Sequence, residues 1–153
     1  MVDAIRTKWR VEEDIMSAEN KAMVRRWFEE VWNKGHEAAI DDMLTPRTIV
    51  HGLGPDLQGP DAFKGFHRGY RNAFPDVKIQ IEDIVAEGDT VAARWTGTGT
   101  HLGDGLGFAA TDRPVQFRGM LFVRVENGKM VEGWNNFDQL GMMQQLGAVN
   151  LPG

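Results

Sequence analysis

Residues 134–147, WNNFDQLGMMQQLG, set one carboxylate, Asp138, behind Trp134 and Phe137 and ahead of an apolar segment. An aspartate in such a setting does one of two things. Desolvated beside rings that exclude water, it loses its preference for the charged form and becomes a general acid or base. At the start of a helix, its side chain accepts a hydrogen bond from a first-turn backbone N–H and caps it. QLGMMQQL is a helical candidate directly after Asp138, although Gly141 stands where a capping box needs Glu or Gln, so local pattern leaves both readings open.

The four histidines are the other groups able to move a proton. His51 ends the β-branched run TIVH beside a glycine loop, and His101 in GTGTHLG shares strand parity with Val91, Ala93 and Trp95, which puts it on an expected apolar face. Each is weighed as a pocket residue against a hydrogen-bonded structural histidine. His67 lies one turn from Phe63 and reads as core; His36 follows Gly35 and reads as exposed. No histidine pair has the short helical spacing of a zinc site, and with no cysteine the chain has no disulfide, thiolate nucleophile or Cys-bound metal. GTGTHLGDGLG lacks a following helix and a Walker lysine, so it is a permissive loop at a pocket mouth rather than a phosphate cradle. A net charge of −5, with 17 Lys and Arg scattered along the chain, argues against nucleic acid as a partner.

What must position these groups is one domain: 153 residues, 42% hydrophobic, support a single sizeable core. Residues 1–16 read as an N-terminal arm or short helix, and residues 17–153 as the domain. Ser17 suits an N-cap, and Met23, Val24, Trp27, Phe28, Val31 and Trp32 recur as the stripe of an amphipathic helix that ends at Gly35. HEAAIDDML is a shorter helix stopped by Thr45–Pro46, and TIVH a strand. Pro60 suits the first turn of a third helix carrying Phe63, Phe66, His67, Tyr70 and Phe74. From Val77 the period changes to 2, giving two strands around EGD and two around Asn127–Gly128. Helices first and antiparallel strands afterwards indicate an α+β domain with helices on one face of a curved sheet.

Asn127–Gly128 is a two-residue type I′ turn signal, so Glu126 pairs with Lys129. Counted outward without a bulge, Leu121 faces Trp134, Gly119 faces Asn136 and Phe117 faces Asp138. That register puts Phe117, Leu121, Val123, Val125, Met130, Trp134 and Asp138 on one apolar face, with Gln116, Arg118 and Arg124 on the other. A single bulge would invert the parity.

Four stretches together, WFEEVWNKG, TIVHG, NAFPDVKIQIEDIVAEGDTVAARWTGTGTHLG and NGKMVEGWNNFDQLGMMQQLG, give a chain that resembles the SnoaL-like polyketide cyclases, or ester cyclases, of the nuclear-transport-factor-2-like superfamily. The likeness runs from about Asn20 to Gly147. It implies a cone-shaped α+β barrel with three N-terminal helices on a mainly antiparallel sheet. It implies intramolecular aldol ring closure on a polyketide-like ester, with Asp138 as general acid/base and no cofactor or metal, since the substrate's conjugated carbonyls delocalise the charge. In such cyclases a histidine on a long neighbouring strand assists the aspartate, and VQFRGMLFVRV has none.

Expected substrate contacts are His51, His101, Phe28, Trp32, Trp95, Phe117, Trp134 and Asn136, although aromatic stripes at regular spacing are more often core. The expected ligand is a small hydrophobic or aromatic molecule. Two alternatives stand beside the cyclase: a non-catalytic binding or dimerisation module, and a hydratase or epoxide hydrolase. Glu132 lies six residues from Asp138, about 20 Å along a strand at ~3.3 Å per residue, too far for both to hold one water. Met120 and Phe122 on the outer face predict a homodimer, and the absence of a signal core or membrane-length apolar run predicts a cytoplasmic protein.

Overall fold

The computed structural model describes residues 1–150 and 152. Its first element, α1 (Val2–Arg26), continues into a π-helical turn, Trp27–Asn33. Helix α1 runs unbroken across Ser17, which therefore caps nothing, and its first turns leave Ile5, Trp9, Val11 and Ile15 exposed. The expected stripe begins to bury only further on, where Val24, Trp27, Phe28 and Val31 enter the core. In the wider turn, residues five apart stack, which brings Trp27 and Trp32 to the same side. Gly35, at φ +69°, ends the helical run as the glycine signal predicts.

Next come α2 (Ala38–Met43), β1 (Leu44–His51), the two-residue β2 (Leu57–Gln58) and α3 (Gly59–Ala73), which carries Pro60 in its first turn. The sheet is completed by β3 (Lys78–Glu87), β4 (Thr90–Thr100), β5 (Pro114–Glu126) and β6 (Lys129–Phe137), and α4 (Gln139–Gln145) follows. The six strands run in the order β2-β1-β6-β5-β4-β3, antiparallel except for the β1·β6 pair. The expected α+β architecture is found, with helices packed on one face of a mainly antiparallel sheet, which stays open rather than closing into a full barrel.

Strand alternation builds that face. On β5, Val115, Phe117, Gly119, Leu121, Val123 and Val125 are buried, while the residues between them are exposed or half-buried. Each fully buried apolar side chain contributes about 1.5–3 kcal/mol relative to leaving it in water. Gly119 is required by close approach: a Cβ there would lie 2.3 Å from Cζ2 of Trp95, whose indole lies against it.

The last hairpin turns where expected. Asn127 and Gly128 both have positive φ, and Glu126 pairs with Lys129 and Val125 with Met130. Beyond that pair β6 bulges: Arg124 faces Glu132, so Val131 is the extra residue. Every later residue of β6 then changes face relative to the unbulged register. Leu121 faces Asn135 rather than Trp134, and Gly119 faces Phe137 rather than Asn136. The disturbed backbone is satisfied from another strand, because the buried Thr48 hydroxyl donates to the Met130 carbonyl at 2.7 Å.

Candidate functional site

Between the helices and the concave sheet face lies a cavity of about 80 Å³. Its walls include Trp27, Phe28 and Trp32 from the π-turn, Phe63, Phe66 and Tyr70 from α3, and Trp95, Phe117 and Phe137 from the sheet. The rings interlock: Trp95 stands 6.0 Å from Phe28, 5.9 Å edge-on from Phe117 and 6.4 Å from Phe137 between centroids. Leu53, Phe66, Tyr70, Asn135 and Phe137 are only half-buried and form the rim, whereas Phe74, Trp95 and Phe117 form the floor.

None of the lining residues is charged or a histidine. The polar groups among them are Thr48, Tyr70, Asn135 and the indoles of Trp27, Trp32 and Trp95. The Thr48 hydroxyl is engaged at the bulge. Asn135 donates through Nδ2 to the His51 carbonyl at a long 3.5 Å, which leaves its second N–H and its side-chain carbonyl available. Desolvation pushes the Tyr70 phenol up to about 12, so it stays protonated at neutral pH and acts as a donor rather than a base.

The expected contacts divide into two groups. Phe28, Trp32, Trp95 and Phe117 line the cavity. His51, Trp134 and Asn136 do not, for they lie on the opposite face of the sheet from the cavity. Trp134 is 41% exposed there, and its place on the inner face is taken by Gly133 and Asn135. His101 is fully buried, as its parity predicted, but it stands behind Phe74 rather than in the cavity wall. Its ring is held by Thr111, whose N–H donates to Nδ1 at 3.2 Å. His67 is core, with Nε2 donating to the Val31 carbonyl at 2.7 Å, and His36 is exposed.

Asp138 shares the fate of Trp134. The bulge carries it away from the apolar face, and it is exposed at the start of α4, where Oδ1 accepts the Gly141 N–H at 2.8 Å. Its backbone N–H closes the sheet by donating to the Arg118 carbonyl at 2.9 Å. Of the two readings open in the sequence, the geometry is that of the cap.

The opposite face of the sheet carries its own cluster. His51 faces two carboxylates, Glu132 at 3.0 Å from Nε2 and Asp56 at 2.9 Å from Nδ1, and its ring stacks on Trp134 at 5.5 Å. Glu132 also accepts from Arg124 at 3.0 Å. Hydrogen bonding to Glu132 first and Asp56 second raises the His51 pKa above its ordinary 6.5, while His51 first and Arg124 second lower that of Glu132 below 4.5. A raised histidine stabilises the fold fully below its unfolded pKa, and that contribution is lost as pH rises through the folded value. The lowered carboxylate contributes above its own unfolded pKa and loses it as pH falls through the folded value. Urea titrations of wild type and His51→Gln are expected to differ most between the ordinary values of 4.5 and 6.5 and to converge above the raised His51 pKa. A difference independent of pH would refute this coupling.

Sequence reasoning missed Asn135, the polar group at the rim, because it counted an unbulged register. It also passed over Leu53, Phe63, Phe66 and Phe137 as wall residues. The helical stripe of α3 did signal Phe63, Phe66 and Tyr70, but as core. The distinction between core and wall depends on how the helices stand off the sheet.

Residues 22–146 match the family model described as SnoaL-like polyketide cyclase. Over 132 residues the chain is 30% identical to aklanonic acid methyl ester cyclase DauD from Streptomyces sp. (strain C5), covering 82% of this chain and 80% of that protein. It is 30% identical over 132 residues to aklanonic acid methyl ester cyclase DnrD from Streptomyces peucetius, covering 82% and 88%. Among solved structures, TsrD from Streptomyces laurentii superposes with a TM-score of 0.77 at 25% identity, over 86% of this chain and 97% of that one.

Proposed function

Because the chain belongs to the SnoaL-like polyketide cyclase family, we propose that its cavity takes a neutral, polyketide-like ester and closes a ring in it by intramolecular aldol chemistry. The observation that carries this reading is the cavity itself: aromatic walls, no charged lining residue, and two polar groups, Asn135 and Tyr70, together at the rim.

In the reaction, a carbon flanked by two carbonyls loses a proton to water at the rim. The resulting enolate carbon attacks the substrate's ketone carbon, forming the new carbon–carbon bond. The former ketone oxygen becomes an alkoxide and takes a proton back. The walls restrict the chain to folded conformers, which converts an improbable encounter into a near-attack geometry. Asn135 Nδ2 and the Tyr70 hydroxyl supply donors for oxygens on which negative charge develops.

The role of Asp138 is decided by one comparison. Full-length wild type, Asn135→Leu and Asp138→Ala are incubated with an aromatic polyketide β-keto methyl ester, and the cyclised product is followed by chiral chromatography. Asn135→Leu is expected to slow turnover about 100-fold, the cost of one oxyanion donor. Asp138→Ala is expected to lose about 1 kcal/mol of stability as a missing cap and to keep its turnover. Abolished turnover in a folded Asp138→Ala protein would instead make Asp138 the acid/base that the family resemblance implies.

A second reading, a binding module without turnover, draws on the lack of any carboxylate or histidine in the cavity wall. Product forming no faster than in buffer, with substrate bound, would establish it. In either case the exposed Met120, Phe122 and Trp134 on the outer sheet face are the patch we assign to a homodimer. Light scattering is expected to give twice the chain mass for wild type and the single mass for Phe122→Glu; a monomeric wild type would contradict the assignment.

A further inference from the structure

The π-turn that carries both Trp27 and Trp32 into the cavity wall is held from outside its own helix. On an α-helix, side chains five apart point about 140° away from each other, and one of the two rings would leave the wall. The wider turn removes that divergence, and such turns are frequent at functional sites. The chain leaves the helix at Gly35, so the last carbonyls of the turn have no continuing helix to bond them. Three consecutive ones are reached by side chains instead. Val31 accepts from His67 Nε2 at 2.7 Å, Trp32 from Arg71 Nη1 at 3.1 Å and Asn33 from Lys78 Nζ at 3.4 Å.

Of these three donors only His67 is buried, at 2% exposed. Its bond to a carbonyl fixes the hydrogen on Nε2, and its Nδ1 is buried with no partner among the described residues. Burial keeps its pKa below the ordinary 6.5, so at neutral pH the ring is an uncharged donor. A plain cap has no need of a ring with one nitrogen left dry, whose desolvation cost is uncompensated. What the ring adds is a second hold on the same element, for it stands edge-on to Trp32 at 5.1 Å. The same stretch of α3 carries the facing wall rings: Phe63 lies 4.9 Å from Trp27 and 6.2 Å from Trp32, and Phe66 lies 6.3 Å from Trp32.

We propose that His67 is a positioning residue: its bond to the Val31 carbonyl and its contact with Trp32 lock the π-turn, so that the Trp32 ring forms the wall against which a neutral aromatic substrate lies. The proposal rests on reading the cavity as the substrate site. It adds how one wall of that site is set, by a residue that does not itself line it. His67 touches no substrate and moves no proton. Its effect on binding passes through Trp32.

The test is a double-mutant cycle on the full, ¹⁵N-labelled chain, with acetophenone as the neutral aromatic ketone titrated. His67→Leu, close in size and without a donor, is expected to weaken binding about tenfold, the scale of one lost aromatic contact, and Trp32→Ala to weaken it by the same factor. Added to Trp32→Ala, His67→Leu should change the affinity by less than about twofold, because the ring it positions is already gone. His67→Gln, whose amide keeps an uncharged donor, should stay within about threefold of wild type. An unchanged affinity in His67→Leu, or an equal loss in both backgrounds, would overturn the proposal, as would a His67→Gln as weak as His67→Leu. Wild type carries an independent check that stands whether or not His67→Leu folds. Long-range ¹H–¹⁵N spectra should give His67 as the tautomer protonated at Nε2, with a slowly exchanging ring proton, and the Nδ1 tautomer would overturn the proposal. If acetophenone shifts cavity resonances in wild type while the two losses simply add, the cavity stands as a ligand site and only the role of His67 fails. No shift of any cavity residue would overturn the cavity reading and this inference together.

Discussion

Gly52→Ala is expected to lose roughly 2–5 kcal/mol of stability and to abolish ligand binding in the cavity. Gly52 follows β1 at φ +85°, in the region where an L side chain costs about 1–2 kcal/mol. A Cβ at that position would lie 1.9 Å from the backbone carbonyl oxygen of Asn135. That atom belongs to β6 and cannot rotate away as a side chain would. Relieving the overlap means moving the strand or the loop, and overpacking of this kind costs a further 1–3 kcal/mol or so. Either movement displaces a group at the rim, since Asn135 sits on the strand and Leu53 on the loop. Urea denaturation and titration with acetophenone measure the two effects on one sample. An unchanged urea midpoint would show that the loop yields freely, and the link between Gly52 and Asn135 would be withdrawn.

Phe74→Ala is expected to be at least as damaging to the fold but opposite in its effect on the cavity. Phe74 is wholly buried where the end of α3 meets the sheet, with its ring 6.1 Å from Phe117, 5.6 Å from His101 and 6.5 Å from Tyr70. Truncating such a ring costs about 3–5 kcal/mol, part for lost burial and part for the void. For a domain of this size that corresponds to a fall in Tm of roughly 6–20 °C. The same void joins the cavity floor to His101, whose Nε2 is buried without a partner among the described residues. The variant should therefore bind larger apolar probes than wild type does, even as it melts earlier. A Tm within a degree or two of wild type would mean that the surrounding rings collapse into the space, and no enlargement of ligand range would then follow.

These two positions differ in how far the sequence announced them. Phe74 was legible as part of the α3 stripe, because a helix facing a core must repeat its apolar residues with the helical period. Gly52 was visible only as one glycine among several in a loop. Its importance comes from Asn135, far along the chain, and no local pattern encodes that approach. The same contrast runs through the rest of the molecule. The stops of α2 and α3, the hairpin turns and the alternation of β5 follow from signals spanning a few residues and are found at or next to those signals, although α2 starts later than expected, at Ala38. The start of α1 was misplaced, since a good capping residue does not start a helix when the residues before it also favour one. The π-turn over Trp27–Asn33 has no sequence signature to compete with an ordinary helix.

Asp138 shows where the boundary lies. The residues around it determined by themselves that a hairpin would turn at Asn127–Gly128, that a strand would lead to Trp134, and that a short helix would follow. Family membership, too, was written in the order and spacing of motifs. What they left open was which face Asp138 and Asn135 would take, because strand parity is reversed by a single extra residue. That residue is Val131, and the bulge is satisfied by a hydrogen bond from Thr48, 82 positions away on a parallel neighbour. Local propensity decides what each segment becomes; only the pairing of distant strands decided that the cavity receives the amide of Asn135 and the helix end receives the carboxylate of Asp138.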